Sequence, residues 1–148
     1  MPYFICPNCK ERSIDIDRVE GLSDKPVACH SCGFGFLFEL LDDYYPAPRT
    51  GLVTCDNEGR VLATGRGVFE LTGYAERDLL GKPVVDALGL RGWNDGKNPV
   101  ELSLEWGVRR LDEQLEMRTK AGTPTAVKAD FFPAYDSDGG LLVALTPR

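Results

Sequence analysis

Leu52-Val-Thr-Cys-Asp-Asn-Glu-Gly-Arg-Val-Leu-Ala-Thr64 reads as two short strands around a turn. Leu52–Cys55 and Arg60–Thr64 carry β-branched and aliphatic residues, and Asp56-Asn-Glu-Gly59 between them has turn chemistry. A hairpin is expected. The pattern then changes period. In Gly67-Val-Phe-Glu-Leu-Thr-Gly73, the residues Val68, Phe69, Leu71 and Thr72 suit one to two helical turns, with Gly73 as the C-cap. Ala75–Leu80, stopped by Gly81, predicts a second short helix, and Pro83–Leu88 a third.

Further along, Gly89–Pro99 is rich in Gly, Asn and Asp and reads as a loop. Val100-Glu-Leu-Ser-Leu-Glu-Trp106 fits a helix or a strand, and its alternation of apolar and polar residues favours a strand. Three strands are expected to close the chain. Asp112–Thr119 places Leu115 and Met117 on one face, and Lys120-Ala-Gly-Thr123 turns it. Thr125–Ala134 sets Val127, Ala129 and Phe131 against Lys128 and Asp130. After the turn Asp136-Ser-Asp-Gly-Gly140 comes Leu141–Leu145, an unbroken apolar run suited to a central strand. Strands, short helices, then antiparallel strands make an α+β domain with helices over one sheet face.

Toward the N-terminus, residues 41–49 hold Pro46 and Pro48, which block helix and central strand alike, so this stretch is read as a linker between a domain 1–40 and a domain 50–148. The first domain carries Cys6-Pro-Asn-Cys9 and Cys29-His-Ser-Cys32, two C-x2-C pairs nineteen residues apart. Two residues between cysteines let both thiolates of a tight turn face one ion, and two such turns complete a tetrahedron. Cys6, Cys9, Cys29 and Cys32 are therefore the expected ligands of a zinc ion, one per chain. Four ligands close the shell and leave no water to activate, so the zinc is structural. Iron competes for the same donor set. His30, within the second turn, is read as exposed. A ~40-residue segment rarely folds on its own core, and zinc supplies about 10–16 kcal/mol to such modules.

Net charge is −6, with four basic against six acidic residues in 1–40 and 13 against 17 in the remainder. Neither part has the clustered Lys and Arg that phosphate contacts need, which weighs against a nucleic-acid partner. No apolar run approaches the ~20 residues of a membrane span, and no secretory signal opens the chain. A cytoplasmic protein is expected, in which paired cysteines read as metal ligands rather than disulfides.

Ile5-Cys-Pro-Asn-Cys9 and Val27-Ala-Cys-His-Ser-Cys-Gly-Phe34 resemble the short zinc ribbons at the N-termini of many bacterial proteins, over about residues 3–38. Such ribbons dock proteins or nucleic acids. The second domain resembles the PAS family. The matching pieces are Val53-Thr-Cys-Asp-Asn-Glu-Gly-Arg-Val61, Phe69-Glu-Leu-Thr-Gly-Tyr74, Asp78-Leu-Leu-Gly-Lys-Pro83, Arg118-Thr-Lys-Ala-Gly-Thr123 and Phe132-Pro-Ala-Tyr-Asp-Ser-Asp-Gly139. The resemblance implies a five-stranded antiparallel sheet with short helices on one face, acting as a sensor or interaction module. A small-molecule ligand would lie between sheet and helices, against Phe69, Leu115, Met117, Val127 and Phe131. The domain lacks the helix histidine of haem-binding members and the reactive cysteine motif of photoactive flavin-binding ones. Cys55, on the first strand, is read as a core thiol. Trp93 is expected to pack on the sheet, and Trp106 to be core or a dimer contact.

No catalytic constellation stands out: there is no free histidine base, no G-x-S-x-G elbow and no phosphate-cradling loop. The expected function is a non-catalytic regulatory adaptor, with a ribbon that docks a protein partner and a PAS-like module that senses or forms a homodimer. The alternatives are a transcription-linked regulator whose ribbon touches nucleic acid or polymerase, and a redox accessory carrying iron, flavin or haem.

Overall fold

The computed structural model describes residues 3–6, 12–13, 38–40, 46–93, 96–133 and 140–148. Cys9, Cys29, Cys32 and His30 lie outside them, as do the first part of the linker and the turn at Asp136–Asp138. Three short strands come first: β1 (Tyr3–Ile5), β2 (Arg12–Ser13) and β3 (Phe38–Leu40), in the order β2-β1-β3. Ile5 pairs with Phe38 and Tyr3 with Leu40, so the two ends of the first 40 residues are joined by an antiparallel ladder.

The opening hairpin forms as its sequence predicts, from β4 (Gly51–Cys55) and β5 (Val61–Thr64). Asp56 builds the turn. Its Oδ1 accepts from the amides of Glu58 at 2.8 Å and Arg60 at 2.9 Å, a local bond that short acidic side chains favour in turns. Three short helices follow: α1 (Val68–Thr72), α2 (Glu76–Leu79) and α3 (Val84–Leu88). α1 ends at Gly73, whose amide donates to the Phe69 carbonyl at 2.8 Å. α2 starts where the Asp78 carboxylate accepts from the Ala75 amide at 2.9 Å, and Lys120 pairs with the same carboxylate.

Residues 99–106 form a helix, α4 (Pro99–Trp106), where the alternation of Val100–Trp106 predicted a strand. The flanks decide it. The Asn98 Oδ1 caps the first turn by accepting from the Glu101 amide at 2.8 Å, Pro99 occupies the first helical turn, and Gly107 ends the helix in the left-handed region at φ 65°. Val100 and Leu104 are also i and i+4, so the same residues give one buried helical stripe.

The last three strands are β6 (Arg110–Arg118), β7 (Pro124–Pro133) and β8 (Leu141–Pro147). The five strands run β5-β4-β8-β7-β6, all neighbours antiparallel. β8 lies at the centre, as its unbroken apolar run predicts, and its first five residues are all buried. The helices pack on one face. Val68, Leu79, Val84, Leu88 and Val100 meet Val53, Cys55, Leu115, Met117, Val127, Ala129, Phe131, Leu141, Val143 and Leu145 in a single core. Among the described residues no helix is long and apolar enough to cross a membrane.

Asp130 departs from expectation. It faces away from the core but is only 1% exposed. The carboxylate is held there by the Asp112 amide, which donates to Oδ1 at 2.8 Å, and by Lys128 Nζ 3.6 Å from Oδ2. Asp112 sits at an irregularity of β6 with φ 59°, and this bend aims its amide at Asp130.

Candidate functional site

Of the four predicted metal ligands, Cys6 is described and the other three are not. Cys6 directly follows β1 and is fully buried. β1 is held on both sides, by β2 and β3, so the segment that presents Cys6 is fixed by two ladders. A buried thiol at the end of an anchored strand suits a ligand shielded from solvent, and a four-thiol donor set suits zinc.

The predicted ligand-lining residues separate into two groups. Leu115, Met117, Val127 and Phe131 come together on the inner sheet face, each 2% exposed or less, and pack against the helices. Phe69 is not with them. It is 63% exposed, because α1 turns Val68 and Thr72 inward and Phe69 outward. A ligand between sheet and helices would have to displace the four packed side chains.

Cys55 lies among the same core residues. Burial, assisted by the nearby Asp56 charge, pushes its thiol pKa up to about 12. It holds its proton at neutral pH and is neither a nucleophile nor a metal ligand in that state. Trp93 is half-buried and packs on the core, as expected. Trp106 does not: it is 69% exposed at the end of α4, near exposed Val108 and Leu111.

Sequence reasoning did not anticipate a cleft of about 440 Å³ where the linker meets α1 and the last strand. Pro48, Arg49, Arg66, Gly67, Glu70, Leu71 and Pro147 line it. Arg66 stands between Gly65 and Gly67 and Arg49 beside Pro48, so both guanidiniums are carried on tight backbone segments. Their convergence depends on a contact across the chain between residues 48–49 and 66–67, which no local pattern announces. The cleft is open and of mixed charge, with no buried acid or base that general catalysis would use.

No family model matches the chain, and no curated protein does. Solved structures do. The PAS domain of nitrogen regulation protein NR(II) from Vibrio parahaemolyticus superposes with a TM-score of 0.56 at 12% identity, covering 68% of this chain and 91% of that one. The PAS domain of the fruit-fly ELK potassium channel gives 0.53 at 18% identity, over 67% and 86%. The light-state dimer of the fungal blue-light photoreceptor Vivid gives 0.55 at 10% identity, over 71% and 82%. The described part of the chain from β4 to β8 has the PAS fold.

Proposed function

We propose that this chain is a non-catalytic regulatory adaptor, in which a zinc-stapled N-terminal module docks a protein partner and a PAS module works by contact rather than by chemistry. The packed inner face supports this reading best. Leu115, Met117, Val127 and Phe131 fill the space between sheet and helices, where a cofactor would otherwise lie. The absence of a catalytic constellation in the sequence points the same way. Cys6, Cys9, Cys29 and Cys32 would hold one zinc, whose role is to fold residues 1–40 and leave their surface free for a partner. The even acidic charge favours a protein over a nucleic acid. The Vivid structure is described as a dimer, and a homodimer through the PAS module is part of this proposal.

Native mass spectrometry with elemental analysis tests it. The expected spectrum is a colourless species with one zinc per chain, no retained small molecule and a dimer whose population rises with concentration. Iron, flavin or haem in the purified chain would replace the adaptor with the redox accessory. Salt-dependent binding to DNA would replace it with the transcription-linked regulator.

A further inference from the structure

Two β-turns meet at Thr50, and each carries an arginine in a central position. The first runs Ala47-Pro-Arg-Thr50 and is closed by the Thr50 amide, which donates to the Ala47 carbonyl at 3.0 Å. Pro48 fixes the first central φ of that turn and Arg49 follows it. The second runs Gly65-Arg-Gly-Val68, where the Val68 amide reaches the Gly65 carbonyl at 3.5 Å. Gly67 takes the second central position at φ 93°, a left-handed value of the kind that a type II turn reserves for glycine. The turns are locked against each other. A Cβ on Gly67 would stand 2.6 Å from the Thr50 carbonyl oxygen, and the Gly65 amide donates to the Leu52 carbonyl at 2.8 Å. Thr50 itself is 0% exposed, and its hydroxyl lies 2.8 Å from that of Thr146, the residue before Pro147. The backbone around the cleft is thus set before any ligand arrives.

The charged side chains on this frame are unpaired. Arg49, Arg66 and Glu70 are exposed, and none of them forms a hydrogen bond or ion pair among the described residues. Elsewhere in the domain Arg60, Arg91, Lys97, Arg110, Lys120 and Lys128 each have a carboxylate partner. Arg66 and Glu70 stand four apart, a spacing that pairs within a helix, but Arg66 lies in the turn before α1 and the pair does not form. Leu71 and Pro147 add apolar surface to that of Pro48. The cleft therefore offers two guanidiniums, one carboxylate and an aliphatic wall. Two guanidiniums suit a carboxylate or a phosphate. Glu70 decides between them. It repels the higher charge of a phosphate, whereas a ligand that also bears a protonated amine turns it into a partner.

We propose that this cleft binds a small zwitterion of the free amino-acid class, with its carboxylate on Arg49 and Arg66, its ammonium on Glu70 and an aliphatic side chain against Pro48, Leu71 and Pro147. This goes beyond the adaptor reading by giving the adaptor a soluble input, and it needs neither the metal nor a dimer. Exposed ion pairs are individually weak, so the ligand binds at ~1 mM, exchanges freely and is lost on purification. Pro48 and Arg49 belong to the linker, so an occupied cleft holds that end of the linker against α1 and β8.

Titration of the isotope-labelled full chain with L-leucine, followed by amide shifts in nuclear magnetic resonance, provides the test. Signals of Arg49, Gly67, Glu70 and Leu71 should move together with one constant of ~1 mM, while those of Met117 and Val127 stay. Two fragments of the ligand separate its charges. Isocaproate lacks the amine and isopentylamine the carboxylate, and each should bind about five-fold more weakly. Arg66→Gln should weaken leucine by about five-fold. Glu70→Gln should bring leucine and isocaproate to equal affinity. Arg77→Gln, at an exposed arginine outside the cleft, should change neither. All three positions are exposed, and an unchanged amide spectrum away from the cleft shows that the variants fold. No shift with leucine at ten times the expected constant overturns the proposal. So do equal affinities for leucine and isocaproate in the unsubstituted chain, tighter binding of inorganic phosphate than of leucine, or shifts confined to Met117 and Val127.

Discussion

Replacing Gly67 with alanine tests the closest backbone approach in the domain. Gly67 precedes α1 at φ 93° and ψ −21°, a region an L-residue enters at a cost of about 1–3 kcal/mol. A Cβ there would also lie 2.6 Å from the Thr50 carbonyl oxygen and 3.2 Å from the Thr50 carbonyl carbon and Gly51 Cα. These are backbone atoms at the start of β4, which is paired on both sides, so they cannot turn aside as a side chain would. Relief requires α1 or the entry to β4 to move. Gly81→Ala is the matched control: φ is 76°, and nothing lies within 4 Å of the new Cβ. Gly81→Ala should therefore lose about 1–2 kcal/mol from the backbone alone, and Gly67→Ala about 3 kcal/mol or more once the clash is added. Urea unfolding followed by fluorescence of the half-buried Trp93 reads both. With m of about 1–1.5 kcal/mol per M, the midpoints should fall by about 1 M and about 2–3 M respectively. Equal losses would refute the reasoning, because they would show that the approach to Thr50 is not tight.

Phe131→Ala should cost about 3–5 kcal/mol in the same assay, against about 0.5 kcal/mol or less for exposed Phe69→Ala; comparable losses would place Phe69 in the core. Cys55 should resist iodoacetamide at pH 8 until urea is added, as followed by site-resolved mass spectrometry. Its folded pKa is about 12 against 9.0 for the unconstrained thiol, so the unfolded chain loses this proton first. Stability should fall as pH rises from 9 toward 12, by up to about 1.4 kcal/mol per pH unit, and Cys55→Ala should flatten that slope. Asp78 has its pKa lowered by the Ala75 amide first and Lys120 next, so its contribution is present above the usual carboxylate range and disappears as pH falls through the folded value. Asp78→Ala should lower the melting temperature at pH 7, and the difference should shrink as pH falls below the usual carboxylate range.

Local chemistry made much of the fold legible. Asp56 and Gly59 announced the first turn, Gly73 and Gly81 the helix ends, and the unbroken run from Leu141 the central strand, because each signal lies within a few residues of its effect. The 100–106 segment was misread for the opposite reason: over seven residues, positions 100, 102, 104 and 106 satisfy a strand while 100 and 104 satisfy a helix. Only the capping residues Asn98 and Gly107 separate the two, and both lie outside the repeat. The burial of Asp130 was hidden because alternation assigns one face to water, whereas the bend of β6 at Asp112 turns an amide onto this carboxylate. Phe69 failed as a lining residue because a five-residue helix turns only part of itself inward, and composition does not say which part. The four-cysteine reading rests on spacing alone, with Cys9, Cys29 and Cys32 outside the described residues, whereas the cleft with Arg49 and Arg66 depends on a long-range meeting of two tight segments.

Each border of the five-strand sheet is met at one point by a loop. Beside β5, the Val61 amide donates to the Lys82 carbonyl at 2.9 Å and the Gly81 amide to the Val61 carbonyl at 2.9 Å. Beside β6, Arg91 and Glu116 exchange amide–carbonyl bonds of 3.0 and 2.9 Å, and their side chains form an ion pair over the same spot. Further along β6, the bend at Asp112 spoils the flatness that an incoming strand needs. Loops between the helices thus serve as selvedges. Edges interrupted in this way shorten the run of free amides and carbonyls that an incoming strand could pair with, which favours assembly through side chains over growth of the sheet.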